Sequence, residues 1–504
     1  MSAQKPADVA LLLEGTYPFV RGGVSSWVQE IVSSLPEVTF SLVFLGGARA
    51  HYGEPAYPLP KNVVHFERYY LLDEGKEARP KTCPGHAQAF ADSAAFHEKL
   101  RDREREVPKD LVRRAAVAAG TPEGVTLEEF LGSTQSWEAI VEQYRSRCTD
   151  PSFVDYFWTV RTMHAPLFGL GQLARRLPPA RAYHAISTGY AGYLGMLLHE
   201  LTGRPLLLSE HGIYTKERKI DLAHAPWIRD AQVGLSDELG YLRNLWIRFF
   251  EGLGRLTYGA ADPIVSLYEG NRQRQIEDGA SAGRTRVVPN GIDVARFSPL
   301  RALRPARPPP VLGLLGRVVP IKDVRTFVRA LRTVCDRRPD AEGWVIGPTS
   351  EDEPYARECR QLAHALGLES KLRFLGFQRA EEVLPKLGLL VLTSISEALP
   401  LVVLEAFASG LPVVATDVGA CSELVMGRGP QDRDLGAAGS IVPIADPEAT
   451  ARAALALLND ENRWSRAQAA GIARVERFYT REQMLASYRA LYSEATAWQA
   501  SASS

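Results

Sequence analysis

Residues 9 to 35 read Val9-Ala-Leu-Leu-Leu13-Glu14-Gly-Thr-Tyr-Pro-Phe-Val-Arg21-Gly-Gly-Val24-Ser-Ser-Trp27-Val-Gln-Glu-Ile-Val-Ser-Ser-Leu35. The first five are apolar without a break, which is typical of a strand buried on both faces. A loop with paired glycines follows, and apolar residues then recur at helical spacing. A buried strand, a glycine loop and an amphipathic helix in this order predict a parallel, doubly wound sheet.

Further apolar runs show that strands and helices keep alternating along the chain. The first half carries predicted strands at residues 39–44, 181–186, 205–209 and 263–267. The second half carries a second set, at residues 311–315, 343–346, 372–375, 389–392, 412–415 and 440–443. At 504 residues the chain is also too long for one hydrophobic core. We therefore expect an α/β protein with two Rossmann-like domains facing each other across a cleft.

The N-terminal domain is predicted to span residues 1–290 and to contain a helical insertion at about residues 67–165. Within the insertion the alternation of strands and helices stops. The run Glu98–Glu106 is highly charged and helical in composition. Such a run usually forms the solvated face of a helix, and it is also a candidate surface for docking a partner.

The second domain is predicted at residues 291–478, followed by a C-terminal helix at residues 479–504. Thr480 and Gln483 have the spacing of a capping box at the start of this helix. An apolar stripe needs a surface to cover, and the second domain already has a complete set of strands. We therefore expect the helix to pack back onto the first domain through Met484, Leu485, Tyr488, Leu491 and Tyr492.

Composition narrows the class of function. The 59 basic residues balance the 59 acidic ones, so no large basic field is available to hold nucleic acid. The five cysteines lie far apart and include no CxxC pair, which fits a reducing cytosol better than a disulfide framework or a zinc site. No run of about 20 apolar residues exists that would predict a membrane span. Small-molecule chemistry in the cytoplasm is the expectation.

The most informative segment for chemistry is Thr393-Ser-Ile-Ser-Glu397-Ala-Leu-Pro400-Leu-Val-Val-Leu-Glu405-Ala-Phe-Ala-Ser-Gly410. A strand ends at its start and a helix begins near Pro400, at the edge where doubly wound sheets bind ligands. The N–H groups around Leu401 and Val402 would form an anion site suited to a diphosphate. The carboxylate of Glu405 would accept hydrogen bonds from a ribose.

Two other strand ends are predicted to lie at the same edge. Gly313-Leu-Leu-Gly-Arg317-Val-Val-Pro-Ile-Lys322-Asp323 supplies two cations expected to face Glu397, where they would neutralise a departing nucleotide diphosphate. Phe374-Leu-Gly376-Phe377 supplies a loop whose backbone would contact a base at its edge.

These motifs, with Pro289-Asn-Gly-Ile-Asp293, resemble the retaining glycosyltransferases of family four, which have the GT-B fold. The N-terminal half, with residues 14–27 and Ser209-Glu-His211-Gly-Ile-Tyr-Thr-Lys-Glu-Arg218, resembles the PelF-type glycosyltransferases of Pel exopolysaccharide synthesis in bacterial biofilms. That resemblance implies a UDP-sugar donor, UDP-glucose or a UDP-N-acetylhexosamine, and a growing glycan as acceptor. It also implies inner-membrane partners of a synthesis and export complex, and no nucleic acid.

The resemblance assigns roles residue by residue. Glu397 and His211 would face the donor sugar from the two domains. Arg317 and Lys322 would bind the diphosphate and take part in catalysis. Gly22 and Gly23 would approach the diphosphate through their backbone, and Glu405 would bind the ribose. The strand-end and helix-start positions described above add the remaining predicted donor-binding residues, Gly376, Phe377, Leu399, Leu401 and Val402.

The same resemblance implies transfer with retention of configuration and without a metal ion or a cofactor. Asp432-Arg-Asp434 has the DxD spacing of metal-dependent transferases, but it lies in a loop rich in glycine, proline and glutamine. We expect it to be a surface acidic pair. Two alternatives stay open: a nucleotide-sugar epimerase of the same fold, and a non-catalytic subunit that binds a UDP-sugar. The transferred sugar, the acceptor, the oligomeric state and the role of the insertion are not determined by the sequence.

Overall fold

Two units, each built on a parallel sheet, make up the chain. The computed structural model describes residues 6–73, 82–102, 107–150, 152–223, 225, 228, 240–305 and 307–497. The first unit contains the chain up to Ser266, Arg272–Arg286 and the residues from Tyr488 onward. The second contains Leu267–Asn271 and Val287–Ser487. Neither unit is therefore one continuous segment.

The sheet of the first unit has the strand order β3-β2-β1-β4-β5-β6-β7. The pairs from β3 to β6 are parallel, which confirms the predicted doubly wound arrangement. Its inner strands are continuous apolar runs because helices cover both faces. The strands are β1 Ala7–Glu14, β2 Phe40–Gly46, β3 Val63–Tyr70, β4 Ala180–Ala185, β5 Leu206–Glu210, β6 Ile264–Ser266 and β7 Thr285–Val287.

Ten helices begin in this half of the described chain. Helix α1 starts directly after the glycine pair, and its apolar stripe, including Trp27, Val28 and Ile31, is buried. The helices are α1 Gly23–Ser34, α2 Ala87–Arg101, α3 Lys109–Val112, α4 Leu127–Gly132, α5 Thr134–Arg147, α6 Phe153–Arg176, α7 Tyr190–Thr202, α8 Tyr214–Ala223, α9 Tyr241–Ala260 and α10 Glu269–Glu277.

The insertion is helical, with α2 to α6 between β3 and β4. It differs from the prediction at both ends, because β3 continues to Tyr70, beyond residue 67, and α6 continues to Arg176. β3 lies at the sheet edge and is only half buried, so it lacks the continuous apolar run that marks the inner strands. The charged run Glu98–Glu106 ends α2 at Arg101, and its residues 103–106 lie outside the described part.

The second sheet has the order β10-β9-β8-β11-β12-β13, and all its pairs are parallel. Its strands lie within one or two residues of their predicted positions: β8 Val311–Leu315, β9 Glu342–Ile346, β10 Leu372–Gly376, β11 Leu389–Leu392, β12 Val413–Thr416 and β13 Gly439–Val442. The chain reverses its direction of winding between β8 and β11, where such sheets bind ligands.

Helices cover both faces of this sheet. In α12 the apolar stripe from Val324 to Val334 is fully buried, as its helical spacing predicted. The helices are α11 Val294–Phe297, α12 Val324–Arg337, α13 Glu353–Ala365, α14 Ala380–Val383, α15 Leu401–Ala408, α16 Cys421–Met426, α17 Pro430–Arg433, α18 Pro447–Leu458, α19 Glu461–Phe478 and α20 Arg481–Ala497.

Helix α20 begins in the second unit and ends in the first. Thr480 and Gln483 form the predicted capping box, each side chain bonding to the other's backbone N–H. In the first unit, Tyr492 Oη lies 2.9 Å from His184 Nδ1, and Tyr488 Oη lies 3.0 Å from Ser209 Oγ. His184 Nε2 is 2.9 Å from the same Ser209 oxygen. This buried polar network fixes the end of α20 to β4 and β5.

None of the helices in the described residues combines the length and the apolar character needed to cross a membrane.

Candidate active site

The carboxyl ends of β8 and β11 lie next to each other in the second unit, and their loops are bonded together. Ile395 N donates to Ile321 O at 2.8 Å. The hydroxyl of Thr393 donates to the carbonyls of Lys322 and Asp323 at 3.0 and 2.9 Å. Thr393 is 1% exposed, so these bonds are shielded from water. The two predicted motifs are thus held as one structure.

A lysine and a glutamate meet at the centre of this structure. Lys322 Nζ lies 2.5 Å from Glu397 Oε1, and the hydroxyl of Ser394 donates to the same oxygen at 2.6 Å. The two charged side chains are only 20% and 12% exposed. Partial burial strengthens the attraction relative to a surface pair. The result is a fixed cation and a fixed carboxylate at the ligand edge of the sheet, as predicted for these two residues.

The loop after β12 supports Glu397 from the other side. Gly419 has φ +55°, and a Cβ there would lie 2.3 Å from the carbonyl oxygen of Glu397. Ala420 N donates to Ala398 O at 2.7 Å. Only glycine permits both this backbone conformation and this close approach.

Glu405 lies in the second turn of α15, and its carboxylate is available to bind a ligand. Its side chain makes no hydrogen bond or ion pair within the described residues, and burial raises its pKa. Arg296, whose charge opposes that shift, is already bonded to Glu381 at 2.7 Å. A half-buried carboxylate without a partner costs free energy, which a ligand with hydroxyl donors would recover.

The start of α15 offers backbone donors. Pro400 precedes the helix, and no side chain caps it. The first N–H groups, at Leu401 and Val402, have no acceptor within the helix. Leu399 was expected at the donor site, but its side chain is 6% exposed and packs in the apolar core, so it offers only its backbone.

One predicted cation is placed differently from expectation. Arg317 was expected to face Glu397, but its guanidinium pairs with Glu351, and its side chain is 54% exposed. An exposed arginine pairs with the carboxylate that lies nearest to it in the folded protein. The spacing of residues along the sequence does not show which carboxylate that is. Phe377 is 76% exposed beyond β10, while the carbonyl of Gly376 accepts from Gly347 N at 2.8 Å.

The predicted residues of the first unit occupy the carboxyl edge of its own sheet. Gly22 and Gly23 are exposed at the start of α1, with open space at their Cβ positions. His211 follows β5 and packs edge-on against Trp27, with ring centroids 4.5 Å apart. Its Nε2 atom is buried without a hydrogen-bond partner in the described residues, and burial lowers its pKa to about 4. His211 is therefore a neutral imidazole.

The structure also adds residues that the sequence did not single out. In the second unit these are Thr393 and Ser394, which lie inside the quoted motif. In the first unit Glu14, at the end of β1, accepts from the hydroxyl of Tyr214 at 2.6 Å and from Ala191 N at 3.1 Å. The sequence does contain a signal for Glu14, because this glutamate stands directly at the end of a buried strand.

The Asp432–Asp434 segment was predicted to be a surface acidic pair, and for Asp432 this prediction is wrong. Asp432 is buried and lies 2.5 Å from the guanidinium of Arg474, whose side chain is fully buried. Arg474 also donates to the carbonyls of Leu424, Val425 and Gly436. The pair therefore anchors α19 to the loop around α17.

Two family models match the chain. Residues 7–283 match a domain of unknown function, DUF3492, and residues 309–460 match the glycosyl transferases group 1. The mannosyltransferase LpsB of lipopolysaccharide core biosynthesis from Rhizobium meliloti is 33% identical over 42% of this chain and 64% of its own length. A D-inositol 3-phosphate glycosyltransferase of Nocardia farcinica is 31% identical over 64% of this chain and 69% of its own length. The chain thus spans about two thirds of these relatives.

Solved structures resemble the whole chain. HepE of Anabaena, in complex with UDP and glucose, has a TM-score of 0.58 at 16% identity and covers 97% of this chain and 99% of its own. Sucrose-phosphate synthase of Thermosynechococcus elongatus has a TM-score of 0.57 at 18% identity, with the same coverage of 97% and 99%. These likenesses confirm the predicted α/β fold of the GT-B type.

Proposed function

This chain belongs to the glycosyl transferases of group 1, and we propose that it moves a sugar from a UDP-sugar to a growing exopolysaccharide of the Pel type. The proposed reaction retains the anomeric configuration and needs no metal ion. The observation that carries the proposal is the Lys322–Glu397 pair at the carboxyl edge of the second sheet, followed along the chain by helix α15 with the unpaired Glu405.

Each part of the donor has a matching group. The β-phosphate would lie against Lys322 Nζ and the free N–H groups at the start of α15. The ribose hydroxyls would donate to Glu405, which would give its carboxylate hydrogen-bond partners. The sugar would lie next to Glu397. HepE, which shares the fold, was crystallised with UDP and glucose, which is in line with a UDP-sugar donor. We propose UDP-glucose or a UDP-N-acetylhexosamine as the donor of this chain.

The same groups account for bond cleavage. As the bond from the anomeric carbon to the β-phosphate oxygen breaks, negative charge grows on the diphosphate, and Lys322 Nζ stabilises it. Glu397 stabilises the positive charge that develops on the sugar ring. The acceptor hydroxyl attacks from the face that UDP leaves, and a β-phosphate oxygen takes its proton. Because both new and broken bonds lie on one face, the configuration is retained.

The acceptor and the cellular setting rest on the resemblance of residues 14–27 and 209–218 to PelF-type enzymes. We propose a cytoplasmic location, at the inner membrane through protein partners, and the helical insertion as their docking surface. No cofactor is needed for the proposed reaction.

Proton NMR of the first linkage formed from an α-linked UDP-sugar tests the proposal. We expect an α-linkage, at a rate that EDTA does not change. A β-linkage would contradict retention, and loss of activity in chelator that Mg²⁺ or Mn²⁺ restores would contradict the metal-free step. UDP release without acceptor and with a changed sugar would instead indicate an epimerase. UDP binding without any turnover would indicate a regulatory subunit.

A further inference from the structure

The helical insertion encloses a cavity of about 950 Å³. Helices α2, α5, α6 and α9 supply most of its wall, and most of the lining is apolar. Native interiors contain few voids larger than a water molecule, whereas cavities that bind small molecules have volumes of about 300–1,000 Å³. A cavity of this size and character therefore indicates a binding site for an apolar group.

Water is a poor occupant of this cavity. A buried water needs about two to four polar partners, and most of the lining offers none. The rings of His97 and His164 already lie 2.7 and 2.8 Å from carbonyl oxygens of their own helices. Burial lowers the pKa of both histidines, that of His164 to about 3, so neither ring is charged at neutral pH. The middle of the cavity therefore suits a hydrocarbon chain.

Positive charge is concentrated at one place in the lining. Arg101, Arg147 and Arg248 come from three different helices, and all three are exposed. Burial and Cys148 raise the pKa of the Tyr241 hydroxyl, and the charges of Arg248, Arg101 and Arg147 each oppose that shift. A hydroxyl that is influenced by three charges lies near all of them. The three guanidinium groups therefore converge at the Tyr241 end of the cavity.

No carboxylate of the described chain forms an ion pair with any of these three arginines. Arg101 donates to the carbonyl of His97 at 3.1 Å and to the side-chain oxygen of Gln143 at 3.0 Å, both of which are neutral acceptors. Burial and the charge of Arg147 lower the pKa of Arg101 by more than Glu98 raises it. The lining contains four arginines and two glutamates, so its charge favours an anion.

Helix α2 connects the apolar end of the cavity to the charged end. Phe90, His97 and Arg101 recur along one face of this helix, and all three line the cavity. Phe90 packs against the apolar cluster that contains Val125 and Phe168, which also line it. The eleven positions from Phe90 to Arg101 extend about 16 Å along a helix axis. The cavity is thus long, apolar at one end and cationic at the other.

We propose that this cavity binds a single-chain anionic amphiphile, with its hydrocarbon chain inside the insertion and its carboxylate or phosphate at Arg101, Arg147 and Arg248. Guanidinium groups bind both kinds of anion through paired N–H donors. The hydrocarbon chain is stabilised because its apolar surface leaves water. The site lies within the first unit, and its existence does not depend on the proposed sugar transfer.

Calorimetric titration of the wild-type full chain with four ligands of equal chain length tests the proposal. The ligands are dodecanoate, dodecyl phosphate, dodecanol and dodecyltrimethylammonium, each below the concentration at which it forms micelles. We expect one anion per chain, and dodecanol should bind at least about tenfold more weakly, because it lacks the charge-assisted hydrogen bonds. The cationic ligand should bind more weakly still. Comparison of the two anions shows whether the site prefers a carboxylate or a phosphate.

The same titration has outcomes that would overturn the proposal. Equal affinity for dodecanol and for the anions would show that the arginines do not hold the head group. Binding of many anions per chain would indicate adsorption to the surface. Binding of neither anion, together with a dimer in analytical ultracentrifugation, would instead assign the cavity to a second copy of the chain.

Two variants test the charged end directly. Arg101→Gln and Arg248→Gln should each weaken the binding of dodecyl phosphate about tenfold and leave the binding of dodecanol unchanged, a split that a folding defect would not produce. Arg145→Gln is the matched control, because Arg145 is an exposed residue of α5 outside the lining. Full affinity for dodecyl phosphate in both variants, or the same loss in the control, would refute the assignment of the head group.

Discussion

Replacing Glu405 by glutamine should change nucleotide affinity and protein stability in opposite directions. The glutamine has the same shape but carries no charge. In the absence of nucleotide the wild-type carboxylate is half-buried and unpaired, and its burial raises its pKa. Removing the charge should therefore stabilise the ligand-free protein. In the complex, the same change removes the charge from a pair of hydrogen bonds to ribose.

The size of the binding effect follows from these bonds. A hydrogen bond to a charged group contributes about 1.5–3 kcal/mol, and glutamine keeps one carbonyl acceptor. We therefore expect the Kd for UDP to rise about ten- to hundredfold.

The gain in stability of the ligand-free Glu405→Gln variant depends on pH. Because the folded pKa of Glu405 is raised, the wild type loses stability as the pH rises from its unfolded value of 4.5 through the folded value. Below pH 4.5 the two proteins should converge.

Isothermal titration calorimetry measures the affinity, and thermal unfolding without nucleotide at neutral and at acid pH measures the stability. Glu382→Gln is the matched control, because Glu382 is an exposed residue of the neighbouring helix α14. Unchanged UDP affinity in Glu405→Gln would refute the ribose assignment. A ligand-free variant less stable than the wild type at neutral pH would refute the reasoning about the unpaired carboxylate.

Four further variants test other parts of the structure. Lys322→Ala should lower kcat about a hundredfold or more with little change in KM, measured by UDP release, and Arg317→Ala should have a smaller effect because Arg317 is exposed and paired with Glu351. Arg474→Met should lower the free energy of unfolding in urea by about 3–5 kcal/mol, since it leaves Asp432 buried without its partner. His211→Gln should reduce the loss of stability between pH 6.5 and about 4 in thermal unfolding, because the folded pKa of His211 lies below its unfolded value of 6.5.

The sequence predicted the sheets well because inner parallel strands have a strong pattern. β8 and β11 were predicted with their observed ends, since each is a continuous apolar run between polar loops. The edge strand β3 was missed because only two of its eight residues are buried, so it carries no continuous apolar run. The three-residue strand β7 was missed because it is too short to carry a pattern.

The sequence predicted which loops form the site more reliably than it predicted which side chains pair with each other. Lys322 and Glu397 were correctly expected to lie together, because the carboxyl ends of neighbouring strands share an edge. The partner of Arg317 depends on a long side chain that reaches Glu351 in another loop. The burial of Asp432 depends on Arg474, 42 positions away along the chain. Contacts of that kind follow from tertiary structure and leave no local signal.

The route of helix α20 affects the order in which the protein is made. The first unit needs the residues from Tyr488 onward, whose hydroxyls complete the buried contacts of Ser209 and His184. The second unit has all its residues once Ser487 has been synthesised. A ribosome adding about 5–20 residues per second reaches Tyr488 some 10–40 seconds after Arg286. The first unit to leave the ribosome is thus the last to be completed, and in the interval the part of β4 and β5 that Tyr488 and Tyr492 contact is a surface for a chaperone to protect.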